Sequence, residues 1–505
     1  MKKQNYIYMA AVIATFTLGS CKKEFLTQTP EANLSGQSFY KTESEIKNAV
    51  NGAYNPLQIM GSRSVQTGSG YWIFGEMRSD NTTFQYNPTN RGNEQDWFID
   101  KFIMGSTYEP IRSYWQQNYQ AIFRDNDVLD HIDAVTMSDS AKNQYIGEVE
   151  FLRGFNYFNL VRQFGGVPLR LKAATSPEEA KSEGRASVDD VYTQIIADLT
   201  DAAAKLPASY TATEAGRATR GAAITLLAKV YMTQKKFSDA LSELRKVETL
   251  GYSLLPKYAD IFSPASKNNA ESIFEIQYLG TRTDMSSNFI YQFAPLDSRD
   301  AVIPDPTQAS AGGGQGFNIP TTDLLEAYEP GDLRKDASIG TITYQPFGAP
   351  TVTVPYVKKY NWGIVTSGNS DVNFPVLRYA DVLLMIAECL NETGQSAQAL
   401  TYLNMVHSHP RTGLSPLTTT DQAQLRDLIM KERQVELAFE NHRWYDLVRW
   451  GIAVEVMNAH GVRQKAERPS IEVEPNAYQV TEENLLLPIP ETEITLDHLA
   501  QNPGY

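Results

Sequence analysis

The sequence predicts a mostly α-helical protein that contains one mixed, loop-rich lobe. Apolar residues recur at helical spacing over much of the chain, two distant segments share a helix–turn–helix pattern, and the stretch between them lacks it. Hydrophobic residues make up 42% of the 505 residues and charged residues 21%, which favours a folded protein with a large core. Helices are expected at 43–60, 111–132, 148–164 and 188–206.

The two similar segments carry small residues at matching places. The segment AKVYMTQKKFSDAL has Ala228 and Ala240, and the segment AECLNETGQSAQAL has Ala387 and Ala399. Each predicts a helix, a short turn at Lys235 or Gly394, and a second helix. This is a degenerate tetratricopeptide pattern, whose helix pairs stack because a single pair cannot bury its apolar face. Two unrelated helical hairpins are the alternative interpretation.

The stretch 421–450 predicts two helices with an acidic residue on an inner face. Glu432 lies on the same helical stripe as Ile429 and Val435. A carboxylate that faces a core is costly unless it is paired. The available cations are Arg378, Arg433, Arg443 and Arg449. We therefore expect a structural ion-pair cluster; the alternative is a catalytic acid, although no second carboxylate is placed opposite it.

Residues 255–375 interrupt the helical repeats. The segment 272–278 alternates like a strand, 323–328 predicts a short helix, and 344–360 contains Val-rich strand candidates. A structureless insertion of this length is uncommon. We expect a mixed lobe that lies against the helices.

The first 20 residues have the pattern of a secretory leader. Lys2 and Lys3 precede an apolar run at 6–18, which is too short to span a membrane. The sequence LGSC at 18–21 resembles a bacterial lipobox, in which Cys21 becomes the lipidated first residue. An ordinary secretory leader with a free cysteine is the alternative.

Composition excludes several classes of protein. The net charge of −14, from 59 acidic and 45 basic residues, disfavours a nucleic-acid-binding protein. Two cysteines cannot build a metal site or a disulfide framework, and His407 and His409 do not share a helix face. No metal and no cofactor are expected.

The segment 61–100 combines loop-forming residues with several aromatic residues. It is rich in Gly, Ser, Asn and Thr, which predicts exposed loops. Trp72, Tyr86 and Trp97 are among these aromatic residues, and aromatic rings on loops are candidates for ligand binding. The alternative is that these aromatic rings pack beneath the loops.

Four motifs in this order, behind a lipobox, resemble the SusD/RagB family of outer-membrane nutrient-binding lipoproteins. They are EFLR at 150–153 with FGGVPL at 164–169, RYADVLLM at 378–385, the ER and RW pairs between 432 and 450, and LPIP at 487–490 with the terminal QNPGY. The resemblance covers residues 21–505. Most of these motifs are helix-packing residues, so they predict the fold better than the ligand.

The resemblance implies a solenoid of about four tetratricopeptide-like helix pairs with an irregular lobe. It divides the chain into an N-terminal region at 21–230 and a C-terminal region at 231–505. It implies ligand contacts from the segment at 61–100 and from the neighbourhood of Tyr291. In that segment Trp72, Tyr86 and Trp97 could stack on the apolar face of a sugar, and Arg78, Asp80 and Asn81 could bond its hydroxyls. It also implies a SusC-like TonB-dependent transporter as partner, and no enzymatic activity.

The predicted function is that of a lipid-anchored outer-membrane protein that faces the cell exterior, binds a glycan and passes it to that transporter. Two other classes stay open. A tetratricopeptide scaffold would bind a protein or peptide, and a glycoside hydrolase would need two carboxylates facing each other across a cleft.

Overall fold

The computed structural model describes residues 39–61, 70–85, 94–181, 184–298, 301–303, 313–346, 348–362, 364–366, 369–468 and 473–505. The predictions for the leader, for Cys21 and for Tyr86 lie outside these residues.

Helices dominate the described chain. They are α1 (Glu43–Gly61), α2 (Glu94–Asp100), α3 (Glu109–His131), α4 (Asp139–Phe164), α5 (Pro177–Ala180), α6 (Val188–Lys205), α7 (Arg220–Thr233), α8 (Phe237–Val247), α9 (Phe289–Phe293), α10 (Thr322–Ala327), α11 (Leu333–Ser338), α12 (Tyr379–Glu392), α13 (Ser396–His407), α14 (Gln422–Glu436), α15 (Arg443–Trp450), α16 (Ala453–Glu467) and α17 (Glu491–Asp497). Helix α4 begins earlier than predicted because the Ser138 hydroxyl caps it, accepting a hydrogen bond from the Ala141 backbone N–H at 3.2 Å.

The long helices stack in consecutive pairs. The pairs are α1 with α3, α4 with α6, α7 with α8, and α12 with α13. Contacts between α3 and α4, α6 and α7, and α8 and α12 join each pair to the next, and α14 packs on α12. Each pair buries its apolar face against its neighbours. The predicted mostly helical fold with about four stacked pairs is confirmed.

The two segments with the repeat pattern form equivalent hairpins. They are α7 with α8 and α12 with α13, and their four matching alanines are fully buried. Both turns use a left-handed backbone, with φ of 58° at Lys235 and 78° at Gly394. Small side chains at the matching positions let the paired helices approach closely, as the sequence predicted.

The strands are short and build the irregular lobe. They are β1 (Thr82–Thr83), β2 (Ser272–Ile276), β3 (Ile319–Pro320), β4 (Ile339–Tyr344), β5 (Val352–Val357), β6 (Ile364–Thr366), β7 (Asn369–Ser370) and β8 (Phe374–Arg378). They form two-stranded antiparallel sheets, β1 with β3, β2 with β8, β4 with β5, and β6 with β7. In the β4–β5 hairpin, Ile339 pairs with Val357 and Tyr344 pairs with Val352.

A buried ion-pair cluster joins the lobe to the end of α14. Glu436 accepts hydrogen bonds from Arg334 at 2.9 Å, Arg378 at 3.1 Å and Arg411 at 2.6 Å. One turn earlier, Glu432 is 4% exposed and contacts Arg334 at 2.5 Å and His407 at 2.8 Å.

The carboxylates that flank Glu436 complete the cluster. Glu440 accepts from Arg378 at 2.6 and 2.8 Å and from Lys359 at 2.9 Å. Glu271 accepts from Arg378 and Arg411, each at 2.5 Å. The predicted structural role of Glu432 is confirmed, but Arg334 of the lobe is its cation.

Of the cations that the sequence placed nearby, Arg378 joins the cluster, whereas Arg433, Arg443 and Arg449 pair elsewhere. Arg433 contacts Asp446 at 2.9 Å and Asp381 at 2.8 Å. Arg449 bonds Asp446 at 2.8 Å and also Glu388. These pairs fasten α15 to α12 and α14, so α15 has a fixed place on the solenoid.

We expect acid to destabilise the fold through Glu436. Burial alone would raise the pKa of Glu436, but the charges of Arg411, Arg378 and Arg334 outweigh it and lower the pKa to about 2. The ionised Glu436 therefore stabilises the fold fully at pH values above its pKa in the unfolded chain, near 4.5. This stabilisation is lost as the pH falls towards 2. The full loss is on the order of 3 kcal/mol, of which about 2 kcal/mol falls between pH 7 and pH 3, and urea unfolding over that range measures it.

Glu436→Gln should be less stable than wild type at pH 7 and should lose less stability on acidification. Glu455→Gln, on the exposed side of α16, is the matched control and should follow the wild-type curve. Equal pH dependence in Glu436→Gln and wild type would contradict the assignment.

Candidate ligand-binding site

The segment at 70–85, predicted as exposed loop, is mostly buried. Residues Ile73–Met77 form a π-helical turn, and β1 pairs with β3 beneath the lobe. Trp72 has no exposed surface, and its indole N–H donates to the Gly61 carbonyl at 3.1 Å. Its ring packs edge-on against Phe293 and Phe317. Trp72 is therefore a core residue in this structure.

Arg78 crosses the interior between helices. Its guanidinium donates to the Gln163 side-chain oxygen at 3.0 Å and to the Asn484 carbonyl, and it lies 4.4 Å from the ring centre of Trp444. Burial lowers the pKa of Arg78 to about 10. The side chain is enclosed by protein groups that already bond it.

Asp80 and Asn81 fasten the same segment to α14 and α15. Asp80 receives two hydrogen bonds from Arg443, each 2.7 Å long. Asn81 accepts from Gln434 at 2.9 Å and donates to Glu76 at 2.9 Å. Both side chains are buried, so their polar atoms serve the contact between segments.

Glu76 anchors the turn that follows α14. Its carboxylate accepts from the backbone N–H groups of Phe439 at 2.8 Å and Asn441 at 3.1 Å. Burial raises the pKa of Glu76 to about 7, against the hydrogen bonds from Asn81 and Phe439, which lower it. Gly75 allows this approach, because a Cβ there would lie 2.2 Å from the Asn441 side-chain oxygen.

Trp97 and Tyr291 lie in two other places. Trp97 is 1% exposed, and the Lys101 ammonium lies 3.0 Å from its ring centre. Burial lowers the pKa of Lys101 to about 8. Tyr291, 8% exposed, packs in a small apolar cluster of the lobe.

The described site residues of the prediction do not converge on one open surface. The expected exposure on loops is wrong for Trp72, Arg78, Asp80, Asn81 and Trp97. Ligand contact by these residues stays a prediction. The composition of this segment gave a wrong expectation of exposure. A Gly- and Asn-rich segment can still lie in a core when its polar groups have buried hydrogen-bond partners.

The lobe has a different polar and aromatic surface, next to the apolar cluster that contains Tyr291. We call Gln85, Tyr344, Tyr356 and Asn361 the lobe face; all four side chains are half-buried. Tyr344 and Tyr356 lie on the same side of the β4–β5 hairpin, because Tyr356 pairs with Gly340 and side chains alternate along a strand. Tyr356 packs on the apolar cluster that contains Tyr291.

Gln85 holds Tyr344 in place. Its side-chain N–H donates to the Tyr344 hydroxyl at 3.1 Å, and its side-chain oxygen accepts from the Leu296 N–H at 2.7 Å. The Tyr344 hydroxyl in turn donates to the Leu296 carbonyl at 2.5 Å. Because these hydrogen bonds hold the Tyr344 hydroxyl against the lobe, the orientation of the Tyr344 ring is fixed.

Tyr356 and Asn361 support the other end of the lobe face. A Cβ at Gly340 would lie 2.3 Å from the Tyr356 ring, so the missing side chain leaves room for the ring to cover β4. Asn361 donates to the Val302 carbonyl at 3.2 Å and hydrogen-bonds the Tyr356 side chain. Burial raises the pKa of both tyrosines.

Two preset aromatic rings flanked by amide groups suit an uncharged, hydroxyl-rich ligand. Sequence reasoning missed this surface apart from Tyr291. The available signal was the presence of Tyr344 and Tyr356 within the predicted strands at 344–360, but only the hairpin register brings the two to one face.

Two further findings limit the chemistry of the described chain. No group of three His, Cys, Asp or Glu side chains within it is arranged to hold a metal ion. None of its helices has the length and hydrophobicity that crossing a membrane requires.

A solenoid of helix pairs that carries a loop-built lobe defines a class of α-helical repeat proteins. A family model described as "SusD family" matches residues 345–505, and one described as "Starch-binding associating with outer membrane" matches residues 24–232. The chain belongs to the SusD-like family.

Individual relatives agree over nearly the whole length. SusD-like protein P25 of Formosa agariphila is 28% identical, with 100% of both chains aligned. A solved "Laminarin binding SusD-like protein" is 28% identical, has a TM-score of 0.75 and covers 92% of this chain and 100% of its own. Surface glycan-binding protein A of Bacteroides thetaiotaomicron, solved with laminarihexaose, shares the fold at 22% identity, a TM-score of 0.74, and the same coverage.

We expect Asp80→Asn to destabilise the fold strongly. The variant leaves Arg443 buried without its carboxylate, which costs about 3 to 5 kcal/mol for a pair of this kind. Urea unfolding at pH 7 measures the change. Asp284→Asn is the matched control, because Asp284 forms an exposed pair with Arg282 and its loss should not change stability measurably. Similar stability of the two variants would contradict the structural role of Asp80.

Proposed function

We propose that this protein is a surface lipoprotein that binds a glycan on the lobe face and delivers it to a SusC-like TonB-dependent transporter for nutrient uptake. The observation that carries the proposal is the 28% identity to a laminarin-binding SusD-like protein across 92% of the chain. The family model that associates its members with starch binding at the outer membrane supports the location.

Binding at the lobe face requires no covalent step. The rings of Tyr344 and Tyr356 would stack on the apolar C–H faces of sugar units, and the amides of Gln85 and Asn361 would lie at their edges. Because the supporting hydrogen bonds are present before a ligand arrives, little side-chain entropy is lost on binding. The glycan is held and released unchanged.

The lipid anchor is assigned to Cys21. Each buried CH₂ of an acyl chain adds about 0.8 kcal/mol of membrane affinity, so several chains on one residue hold a domain at a membrane for long periods. The segment between Cys21 and the first described residue, Phe39, would serve as the tether. Partnership with a transporter rests on the family resemblance, and the surface-facing orientation rests on the same ground.

We expect Tyr344→Ala to weaken glycan binding about ten-fold, which corresponds to ~1.4 kcal/mol, because the fixed stacking platform is removed. Affinity electrophoresis against a panel of polysaccharides that includes laminarin identifies the ligand, and calorimetry on the strongest binder gives the affinity. Tyr344→Phe keeps the stacking ring but loses the hydrogen bonds that orient it, so it should weaken binding less than Tyr344→Ala does.

The matched control is Tyr231→Ala, a half-buried tyrosine on α7 of the solenoid. It should bind like wild type. Unchanged affinity in Tyr344→Ala, with binding present in wild type, would place the glycan elsewhere. Cleavage products in the same incubations would favour the hydrolase alternative, and a captured peptide without any bound glycan would favour the scaffold.

We expect Cys21→Ser to abolish lipidation. In cells fed labelled palmitate, the wild-type protein should be labelled and sediment with membranes, whereas the variant should be unlabelled and soluble. A variant that stays membrane-bound, with neither form labelled, would show that Cys21 is not the anchor.

A further inference from the structure

A second concave surface lies on the solenoid, on helix α3. A cavity of about 250 Å³ is lined by Trp115, Tyr119 and Phe123 on one side. The residues on the other side are Pro168, Arg170 and Lys172 after α4, and Glu493 and Asp497 of α17. None of these residues belongs to the lobe face, and the buried ion-pair cluster does not use them.

The α3 wall of the cavity is an aromatic ladder. Trp115, Tyr119 and Phe123 are spaced four residues apart, so they share one helix face at intervals of about 6 Å. The ring centres of Trp115 and Tyr119 are 5.0 Å apart, and the Tyr119 hydroxyl donates to the Pro168 carbonyl at 2.7 Å. Trp115 is buried at the base, whereas Phe123 is 45% exposed. An aromatic side chain this open has no role in the core.

The facing wall is polar and carries both signs of charge. Arg170 contacts Asp497 at 3.2 Å. The Arg170 backbone is fixed as well, because its carbonyl accepts from the Tyr157 hydroxyl at 2.7 Å and from Asn126 at 3.0 Å. Burial raises the pKa of Glu493, whose carboxyl group is half-buried beside Trp115. Acceptors and donors therefore stand opposite the rings across the cavity.

We propose that this groove is a second saccharide-binding site, which takes one sugar ring of a neutral glycan against the Tyr119–Phe123 edge of the ladder. A sugar ring presents an apolar face for aromatic stacking and hydroxyl groups for charged and polar partners, and this cavity places the two kinds of wall opposite each other. The balance of Arg170 and Lys172 against Glu493 and Asp497 favours an uncharged ligand.

The competing occupant is an apolar side chain of a partner protein, because Leu171 and Leu496 beside the groove are 39% and 73% exposed. Such a side chain would cover Glu493 and the Arg170–Asp497 pair without offering them hydrogen bonds, which costs free energy. Sugar hydroxyls replace the lost water at these groups. The polar wall therefore favours a saccharide.

The test is calorimetry of the full mature chain with laminarihexaose, cellohexaose, maltohexaose and xylohexaose, in wild type and in Tyr344→Ala. Tyr344→Ala weakens the lobe face only about ten-fold, so the groove is identified by the further change: adding Phe123→Ala should weaken the binding that remains at least ten-fold. Phe123→Tyr, which keeps the ring, should preserve it. Met405→Ala, an exposed apolar residue on α13, is the control for surface hydrophobicity and should have no effect.

The outcomes separate this groove from the lobe face. If Tyr344→Ala removes all binding, or if Phe123→Ala changes no isotherm, the groove is not a saccharide site while the proposed function stands. If Phe123→Ala leaves saccharide binding intact but disrupts co-purification with a membrane protein, the groove is a protein contact instead. Absence of any heat in wild type with all four hexaoses contradicts both sites for these ligands.

Discussion

The ion-pair cluster at the end of α14 is the interaction on which the architecture depends. Five carboxylates, from Glu271, Asp332, Glu432, Glu436 and Glu440, meet three arginines and Lys359 in the protein interior. Removing so many charges from water is expensive and is tolerated here because each charged side chain has close partners of opposite charge. Such a cluster penalises any displacement of its members, so it sets one position of the lobe on the helices.

A second set of contacts leads from this cluster to the lobe face. Glu76 accepts the backbone N–H groups of the turn after α14, and Asp80 holds Arg443 of α15. The chain then enters β1, which pairs with β3 of the lobe, and reaches Gln85. Gln85 in turn bonds Tyr344 and Leu296. Gln85, which holds the Tyr344 ring, is therefore on the same short stretch of chain as Glu76 and Asp80, which are bonded in the core.

This construction fits the proposed role of binding a glycan without a covalent step. Stacking on an aromatic ring contributes modest free energy, so affinity depends on how little order is lost when the ligand arrives. Rings whose hydroxyls are engaged inwards, as in Tyr344 and Tyr119, stay oriented without a ligand. The helical repeats provide a rigid support, and the specific surfaces are built from a hairpin and from loop-adjacent side chains.

The sequence by itself determined the local features: the helices, the matching α7–α8 and α12–α13 hairpins with their turns at Lys235 and Gly394, the need to pair Glu432, and the family resemblance. These follow from periodicity, small residues and turn chemistry, which act over a few neighbours in the chain. Only the tertiary structure decided that Arg334 pairs with Glu432, that Trp72 and Trp97 are buried, and that Tyr344 and Tyr356 share one half-buried face of the hairpin. Burial and ion pairing depend on contacts between residues far apart in sequence, and a single sequence carries no record of which distant segment will cover a given side chain.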